Sequence, residues 1–362
     1  MALIGEYLST KYLDVVEWSM TDLRDYEVSV QQEIEDVSMD KPHVLLLGAG
    51  ASKAALPNGD KDGKPVPILR DLARDLHLHR DFPQALVELS QTDFESAYSK
   101  LFSHGDCQEL GQISQKIADY FSSLELPDEA NLYDVINLSL REKDIIATFN
   151  WDPFLLNSQI RLAKLGVTKL PRPYFLHGNV AVGVCAKDRI SGLAGNRCSR
   201  CCNVFEPSRL LYPVESKNYQ DSDFIQSQWT AIRYYLSHCF MLTIFGYSAP
   251  KTDVEAVALL KEGWGDVEDR NMEQTEVINR PGADHEALRE TWEEFIHTHH
   301  YEIHESFYDS FIAKHPRRSG EAYWNQYYEA KFISDNPIPT DIPKLEQLIE
   351  WFRPLLDVER KS

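Results

Sequence analysis

The sequence of 362 residues has no feature that would direct it to a membrane or out of the cell. No stretch approaches the roughly 20 consecutive apolar residues that a membrane-spanning helix needs. The first residues, MALIGEYLSTKYLDVVEW, have no basic segment, and acidic residues interrupt their apolar character, so no signal peptide is predicted. We therefore expect a cytoplasmic protein with no membrane partner.

Positive charge and cysteine are both scarce. The chain has 37 Lys and Arg against 57 Asp and Glu, a formal net charge of −20, which disfavours direct nucleic-acid binding because that needs clustered cations. Six cysteines in a chain of this length do not suggest a secreted disulfide scaffold. A hydrophobic fraction of 43% with 11% aromatics instead indicates a folded protein with a core.

The order of apolar runs predicts an α/β fold. Helical patterns, with apolar residues three and four positions apart, separate short apolar runs typical of buried strands. Such alternation favours a Rossmann-like, mostly parallel sheet with helices on both faces, plus a helical insertion and a helical C-terminal region. The predicted strands are residues 44–47, 144–150, 173–179 and 240–245.

A glycine-rich turn, Gly48-Ala49-Gly50-Ala51-Ser52, follows the first predicted strand. Backbone amides in such a turn are able to approach a phosphate closely. The dinucleotide fingerprint requires a third glycine where this chain has Lys53. By itself the turn is therefore compatible with a phosphate ligand or with a tight turn that binds nothing.

Small and polar residues also follow the other three predicted strands: Asn150-Trp151-Asp152, His177-Gly178, and Gly246-Tyr247-Ser248 with Asp253 beyond. Singly, Asn150 suits a turn, Asp152 a helix N-cap and His177 a core position. Because ligands of parallel sheets bind outside the carboxyl ends of the strands, the four segments together predict one site.

These motifs stand in the order in which sirtuins carry a GAG-x-S turn, a T-x-N-x-D segment, a His-Gly pair and a G-x-S segment. Over roughly residues 41–265 the chain resembles the sirtuin superfamily, and most closely the sirtuin-like NAD-hydrolysing domains of bacterial anti-phage defence proteins. We accordingly divide it into an N-terminal helical segment (1–40), an NAD-binding domain (41–265, with a helical insertion at about 68–140) and a C-terminal helical region (266–362).

The resemblance implies that the chain hydrolyses NAD⁺ to ADP-ribose and nicotinamide as the toxic effector of an anti-phage system. Asp152 would engage the nicotinamide carboxamide, Asn150 would bond a ribose hydroxyl or the attacking water, and His177 would accept a proton. The glycine turn would hold the diphosphate, and the segment from Gly246 would line the adenosine side. The residues expected to bind NAD⁺ are Gly48, Ala49, Gly50, Ser52, Thr148, Gly246, Tyr247, Ser248 and Asp253.

The chain departs from sirtuins at the zinc module. Sirtuins place two Cys-x-x-Cys pairs after the His-Gly pair, whereas this chain has one pair, Cys198 and Cys201, with Cys202 adjacent and Cys185 upstream. We expect free thiols rather than zinc; a site using Cys185 and a fourth ligand is the alternative. The loss of one Cys-x-x-Cys pair favours hydrolysis of NAD⁺ by water over deacylation. An NAD-dependent protein deacylase using the same pocket is the second hypothesis.

Two further motifs do not predict catalysis. The segment from Gly246 to Pro250 lacks the last glycine of a nucleophile elbow. His300 and His304 would share a helical face, but Tyr301 replaces the glutamate of a zinc protease, so we expect a polar, aromatic-rich helix around His297, His299, His300 and His304 without a metal.

The aromatic-rich C-terminal region suggests an interface, because aromatic residues are enriched in protein contacts. We expect this region, with the N-terminal helices, to form a homo-oligomer or to dock a separate sensor. By resemblance, the sensor would be a hexameric ATPase or a nucleic-acid-guided protein. A non-catalytic nucleotide sensor is a third class of function, since its site would have the same sequence features.

Overall fold

The computed structural model describes residues 26–105, 107–214, 219, 222–250 and 253–361. Its main sheet has six parallel strands, and the four predicted strands are all present with small shifts at their ends. The six strands are β1 (His43–Leu47), β2 (Ile145–Thr148), β3 (Arg172–Phe175), β4 (Met241–Phe245), β5 (Gln274–Ile278) and β6 (Tyr301–His304).

The strands lie in the order β6-β5-β4-β1-β2-β3. The chain proceeds from β1 outward through β2 and β3, then returns to the other side of β1 and proceeds outward again from β4. Strand order therefore reverses between β1 and β4, and this is the position at which open parallel sheets bind their ligands. The turns after β1 and β4 are the two glycine-containing segments of the sequence.

The central strands are apolar on both faces, as expected for a sheet covered on both sides. Leu45 and Leu47 face one hydrophobic cluster, which contains the helical insertion and the last helix. Val44 and Leu46 face a second cluster on the opposite side. The described helices are α1 (Val30–Glu35), α2 (Ala49–Ala55), α3 (Leu69–Asp75), α4 (Val87–Thr92), α5 (Phe94–His104), α6 (Cys107–Ser122), α7 (Leu132–Ser139), α8 (Phe154–Lys164), α9 (Asp223–Leu236), α10 (Val254–Trp264), α11 (His285–Thr291), α12 (Phe311–Lys314), α13 (Ser319–Tyr323) and α14 (Leu345–Lys361).

The region after residue 265 is not wholly helical. It contributes β5 and β6 to the main sheet, so the sheet continues past the predicted domain boundary. The prediction of a helix around His300 and His304 was wrong, because Tyr301–His304 is strand β6. Both strands contain charged residues, including the fully buried Glu276, and so lack the apolar run by which the other strands were predicted.

Buried ion pairs attach the C-terminal helices to the rest of the fold. Arg317 and Arg318, before α13, both bond the carboxylate of Glu359 in α14. Arg141, after α7, pairs with Glu321 of α13. The C-terminal region is therefore integrated with the sheet and the insertion.

Two smaller sheets complete the described structure. Val182–Cys185, Ile190–Leu193 and Glu206–Pro207 form a three-stranded antiparallel sheet after β3. Glu27–Val28 pairs in parallel with Phe332–Ile333. Among the described helices, none combines the length and apolar character needed to cross a bilayer.

Candidate functional site

A cavity of about 970 Å³ opens at the carboxyl edge of the main sheet. Segments that follow all six strands line it, together with parts of the helical insertion. The predicted residues on its wall are Gly48, Ala49, Gly50, Ser52, Asn150, Asp152, His177, Gly246, Tyr247, Ser248 and Asp253. Thr148 is instead buried at the end of β2, where its hydroxyl accepts a hydrogen bond from the backbone N–H of Asn150 at 3.0 Å.

The turns after β1 and β4 touch through their backbones, and this contact explains their glycines. Gly50 N–H donates to Gly246 O at 2.9 Å. A Cβ on Gly48 would lie 2.5 Å from Gly246 O, and one on Gly246 would lie 2.2 Å from the nitrogen of Ala51. Gly246 also has φ +66°, a conformation that favours glycine. The two turns are thus held together at the strand-order reversal.

Several amides of the first turn already have backbone acceptors. Gly48 N–H bonds Phe245 O, Gly50 N–H bonds Gly246 O and Ala51 N–H bonds Gly48 O, each at 2.9 Å. The turn therefore offers a diphosphate fewer open amides than the sequence pattern suggests. The turn instead lets a ligand come close to its backbone, because a small residue occupies every position from Gly48 to Ser52.

The glycine contact makes a direct prediction. Gly48→Ala should push the two turns apart, since backbone atoms with no room to move surround the new methyl group. We expect the free energy of unfolding, measured in urea, to fall by roughly 1–3 kcal/mol, as for overpacked sites. Gly111→Ala at an exposed position of helix α6, where nothing lies within 4 Å, is the control and should slightly raise stability. Equal stabilities of the parent and Gly48→Ala would contradict the close packing.

Asn150 and Asp152 are joined through Ser52. Asn150 Nδ2 donates to Gly48 O and to Ser52 Oγ, both at 2.9 Å. Ser52 Oγ donates to Asp152 Oδ2 at 2.7 Å and lies 2.6 Å from the hydroxyl of Tyr133. All four side chains are buried. Tyr133, on α7, was not predicted, because its place in an amphipathic helix looks like an ordinary core position.

The environment of Asp152 changes its acidity. Burial disfavours the charged carboxylate and raises its pKa to about 6, although hydrogen bonds from Ser52 and from the Phe154 amide act in the opposite direction. The Phe154 amide donates to Oδ1 at 3.3 Å, but Pro153 occupies the N-cap position of α8, so Asp152 is not the N-cap considered from the sequence. A buried carboxylate with a raised pKa beside a cavity is typical of a functional site.

His177 lies within an aromatic enclosure. Its Nε2 is 3.1 Å from the hydroxyl of Tyr219, and its ring meets Phe149 edge-on at 4.8 Å. Phe149 in turn stacks on Tyr247 at 4.0 Å, and the Tyr247 hydroxyl donates to Asp253. His177 is 5% exposed and still reaches the cavity wall, so a small reactant has access to it.

The loop after β3 is tied to the loop after β2. Asn179 Nδ2 donates to the carbonyls of Asn150 and Asp152, at 3.2 and 2.6 Å. Gly178 has φ +78°, and a Cβ there would lie 2.0 Å from Arg209 O, so glycine is required beside His177. These contacts hold the loops of Asn150, Asp152 and His177 together, and all three side chains line the same cavity.

Some cavity residues could not be predicted. Asn279 and Arg280 follow β5, and Ser306 and Phe307 follow β6, at the same carboxyl edge. Because β5 and β6 were not predicted as strands, the residues at their carboxyl ends were not considered for the site. An asparagine directly after an apolar pair (Val277-Ile278) was the signal available in the sequence.

The small antiparallel sheet carries a possible metal site. Ligand atoms of Cys185, Asp188, Cys198 and Cys201 all lie within 4.8 Å of one another. Three thiols and a carboxylate match the ligand types and number of a tetrahedral structural zinc. From the sequence, a site using Cys185, Cys198, Cys201 or Cys202 and an unnamed fourth ligand was the alternative to free thiols, and Asp188 was not predicted. A zinc ion here would join the end of strand Val182–Cys185 and the turn of Asp188 to the segment that carries Cys198 and Cys201, rather than act on substrate.

Metal analysis of the purified protein tests this site. If these four residues bind zinc, protein grown with zinc contains close to one zinc per chain, and Asp188→Ala or Cys198→Ser lowers that content severalfold because each removes a ligand. Cys202→Ser is the matched control, since exposed Cys202 lies outside the four-ligand group. A parent protein without zinc would return the four residues to the free-thiol interpretation.

The other histidines do not form the predicted helical cluster. His304 lies on β6, with Nε2 3.2 Å from Glu276 and 3.3 Å from Glu302. Desolvation lowers its pKa, but the two carboxylates outweigh this and raise it to about 9. The His297 ring instead bonds Val267 O. His304 is thus a charged partner of two glutamates, beneath the C-terminal helices.

Comparison with known proteins yields matches of structure only, since no protein-family model and no curated protein matches the chain. A Sir2 bound to acetylated peptide is 13% identical with a TM-score of 0.36, over 80% of this chain and 93% of that one. A sirtuin from a study of substrate affinity is 15% identical with a TM-score of 0.40, over 78% and 93%. A mutant Sir2 homologue in complex with ADP-ribose is 12% identical with a TM-score of 0.35, over 90% and 96%. All three are matches at low identity, and the chemistry of this chain therefore rests on its own residues.

Proposed function

We propose that the chain hydrolyses NAD⁺ to nicotinamide and ADP-ribose. The observation that carries the proposal is the convergence of Asn150, Asp152 and His177 on one cavity. This cavity lies outside the strand-order reversal, against the two glycine turns. Its volume of about 970 Å³ is at the upper end of the range for small-molecule sites, which suits a dinucleotide.

The hydrogen bonds of Asn150 favour a role as acceptor. Both hydrogens of its amide nitrogen have acceptors, Gly48 O and Ser52 Oγ. Since Gly48 O only accepts, this orientation of the amide is fixed, and the carbonyl oxygen remains for a ligand. We assign to that oxygen a hydrogen bond from a ribose hydroxyl or from the attacking water.

Asp152 and His177 have complementary tasks in the proposed reaction. Cleavage of the nicotinamide–ribose bond passes through a cationic, oxocarbenium-like ribose, as in glycoside hydrolysis. Asp152 binds the carboxamide, and above a pH of about 6 its carboxylate also places negative charge near the developing cation. His177 accepts the proton of the attacking water or of a ribose hydroxyl.

The enclosure of His177 supports water as the nucleophile. Tyr219 and Phe149 cover its ring, and Trp229 packs against Tyr219 at 5.0 Å. A water molecule fits such a confined place more readily than an acylated lysine side chain. The intact ligand set of Cys185, Asp188, Cys198 and Cys201 favours the second candidate, an NAD-dependent deacylase, because sirtuin-type deacylases use their zinc module to form the peptide groove.

Nicotinamide release tests the proposal. Purified protein is incubated with NAD⁺, with and without an acetyl-lysine peptide, and the products are separated by liquid chromatography. Hydrolysis predicts release without peptide and its loss in His177→Ala, whereas a deacylase would need the peptide. A protein that binds NAD⁺ without releasing nicotinamide under either condition would be the non-catalytic sensor.

We also propose that this activity makes the chain a toxic effector in bacterial anti-phage defence, kept silent in a homo-oligomer or by a separate sensor. The support is the sequence resemblance, together with exposed aromatic residues, Tyr327 and Phe332, in the C-terminal region. Expression should deplete cellular NAD⁺ and stop growth, and His177→Ala should do neither. Mass photometry of Phe332→Lys tests the interface. A point variant is used because deletion of the C-terminal region would remove two strands of the main sheet.

A further inference from the structure

We propose that Tyr133 is a positioning residue of this site: its hydroxyl orients Ser52, and Ser52 holds Asn150 and Asp152 in place. The inference deepens the proposed function and rests on it for the identity of the reaction. Tyr133 belongs to the helical insertion and to none of the four strand-end motifs. The insertion thereby becomes part of the reaction centre.

The contacts around Ser52 form a closed set. Its Oγ lies 2.6 Å from Tyr133 Oη, 2.7 Å from Asp152 Oδ2 and 2.9 Å from Asn150 Nδ2. Tyr133 Oη is also 3.4 Å from Asn150 Nδ2. Tyr133 and Ser52 are each 1% exposed, so water does not substitute for these partners.

The number of hydrogens fixes the direction of each bond. An ionised Asp152 only accepts, so the single proton of Ser52 points to Asp152. The Asn150 amide nitrogen only donates, so it donates to Ser52. The remaining neighbour of Ser52 Oγ is Tyr133, whose O–H must therefore be the donor in that bond. A chain Tyr133→Ser52→Asp152 results, in which each hydrogen bond polarises the next one and stabilises the carboxylate.

Tyr133 is suited to be a permanent donor. Burial, followed by the nearby charge of Asp152, raises the pKa of its phenol well above the ordinary value, so the proton stays in place throughout the physiological range. Its position is fixed by the start of α7, where Asn131 caps Tyr133 N–H at 2.9 Å. The next residue, Asp134, is anchored to Arg161 of α8.

Several other charged or titratable side chains line the cavity with Asp152: Lys53, Arg70, Asp71, Asp93, Glu95, His177, Asp253, Arg280, Asp284 and Glu305. Burial and hydrogen bonds, rather than the charge of any of these groups, shift the pKa of Asp152. Removing the Tyr133 hydroxyl therefore changes the carboxylate environment without removing a charge.

The test compares Tyr133→Phe with Tyr98→Phe. Tyr98 is the matched control because its buried hydroxyl also bonds a serine of the insertion, Ser114 at 2.7 Å, outside the cavity. In Tyr133→Phe we expect kcat for NAD⁺ hydrolysis to fall roughly five- to tenfold, the factor associated with one buried hydrogen bond, with KM changed less. The acidic limb of the pH–kcat profile should move to higher pH, because an ionised Asp152 loses stabilisation.

A second measurement does not depend on turnover. Protein labelled with ¹³C at aspartate carboxyls is titrated without ligand, and the Asp152 resonance is assigned by its loss in Asp152→Asn. Its midpoint, about 6 in the parent, should rise in Tyr133→Phe and stay unchanged in Tyr98→Phe. If the parent releases no nicotinamide, the proposed function fails, while the titration still decides the role of Tyr133.

Ser52→Ala provides the fallback if Tyr133→Phe does not fold. It removes the Ser52 hydroxyl from the same series of hydrogen bonds, so the titration midpoint of Asp152 should rise at least as far as in Tyr133→Phe. Where both variants fold, the double variant should show no effect of Tyr133→Phe beyond that of Ser52→Ala. An unchanged midpoint in Tyr133→Phe or in Ser52→Ala, or an equal loss of kcat in Tyr98→Phe, overturns the proposal.

Discussion

Asn150→Ala should lower the kcat of NAD⁺ hydrolysis by about 10²–10³-fold, the loss typical when a preorganised polar group is removed from a reaction centre. The variant removes the carbonyl oxygen to which we assigned the hydrogen bond from the ribose or from water, and Ser52 and Gly48 O each lose a hydrogen bond. We expect KM to change only a few-fold, because the turns and the adenosine side of the cavity keep their contacts. Initial rates across NAD⁺ concentrations measure both constants.

A buried asparagine outside the cavity is the matched control. Asn137 on α7 bonds Leu155 O and Ser158, and its replacement by alanine should lower the melting temperature while leaving kcat within about threefold. If Asn150→Ala keeps the parent kcat, the assignment of the reaction centre is wrong. If both variants lose activity to the same degree, loss of fold explains the result.

Glu359→Gln should produce the largest loss of stability. Arg317 and Arg318 are 1% and 0% exposed, and this one carboxylate accepts from both of them at 2.5–2.8 Å. Removing one member of a buried ionic group leaves uncompensated charge, at a cost of roughly 3–5 kcal/mol. Urea unfolding at pH 7 measures the change.

The pH dependence of this loss has a definite sign. Burial alone would raise the pKa of Glu359, but the hydrogen bonds and charges of the two arginines outweigh it and hold the pKa below its ordinary value. Its stabilisation is therefore present above the ordinary carboxyl range and is lost as pH falls through the lowered pKa. The difference in the free energy of unfolding between the parent and Glu359→Gln should therefore become smaller in acid.

Glu350→Gln is the control on the same helix. Glu350 pairs with Arg353 at the exposed surface of α14, and such pairs contribute roughly 0–1 kcal/mol. A Glu359→Gln protein as stable as Glu350→Gln would show that the C-terminal helices are attached mainly by their apolar contacts.

The sequence predicted the parts of the site that follow apolar strands. β1, β2 and β4 are mostly apolar, so their ends could be located, and residues at those ends line the cavity. The Asn150 and His177 segments are separated along the chain by a whole helix and a strand, and they became neighbours simply because parallel strands end at the same edge.

What the sequence could not predict depends on tertiary contacts. Glu276 is fully buried within β5 because Thr243, His304 and the Phe311 amide bond it, and none of these partners is near it in sequence. Tyr133 has the apolar spacing of any core residue, and its role depends on one hydroxyl contact across 81 positions. In both cases a polar group with specific hydrogen bonds lies at a position for which the sequence pattern predicts only burial.

The most direct test of the central claim is the fate of the ADP-ribosyl group when purified protein receives NAD⁺ and an acetyl-lysine peptide together. Mass spectrometry distinguishes ADP-ribose from O-acetyl-ADP-ribose. We expect nicotinamide and ADP-ribose in equal amounts, the peptide unchanged, and no reaction in His177→Ala. Formation of O-acetyl-ADP-ribose in step with peptide deacetylation, or nicotinamide release that survives in His177→Ala, would contradict the account.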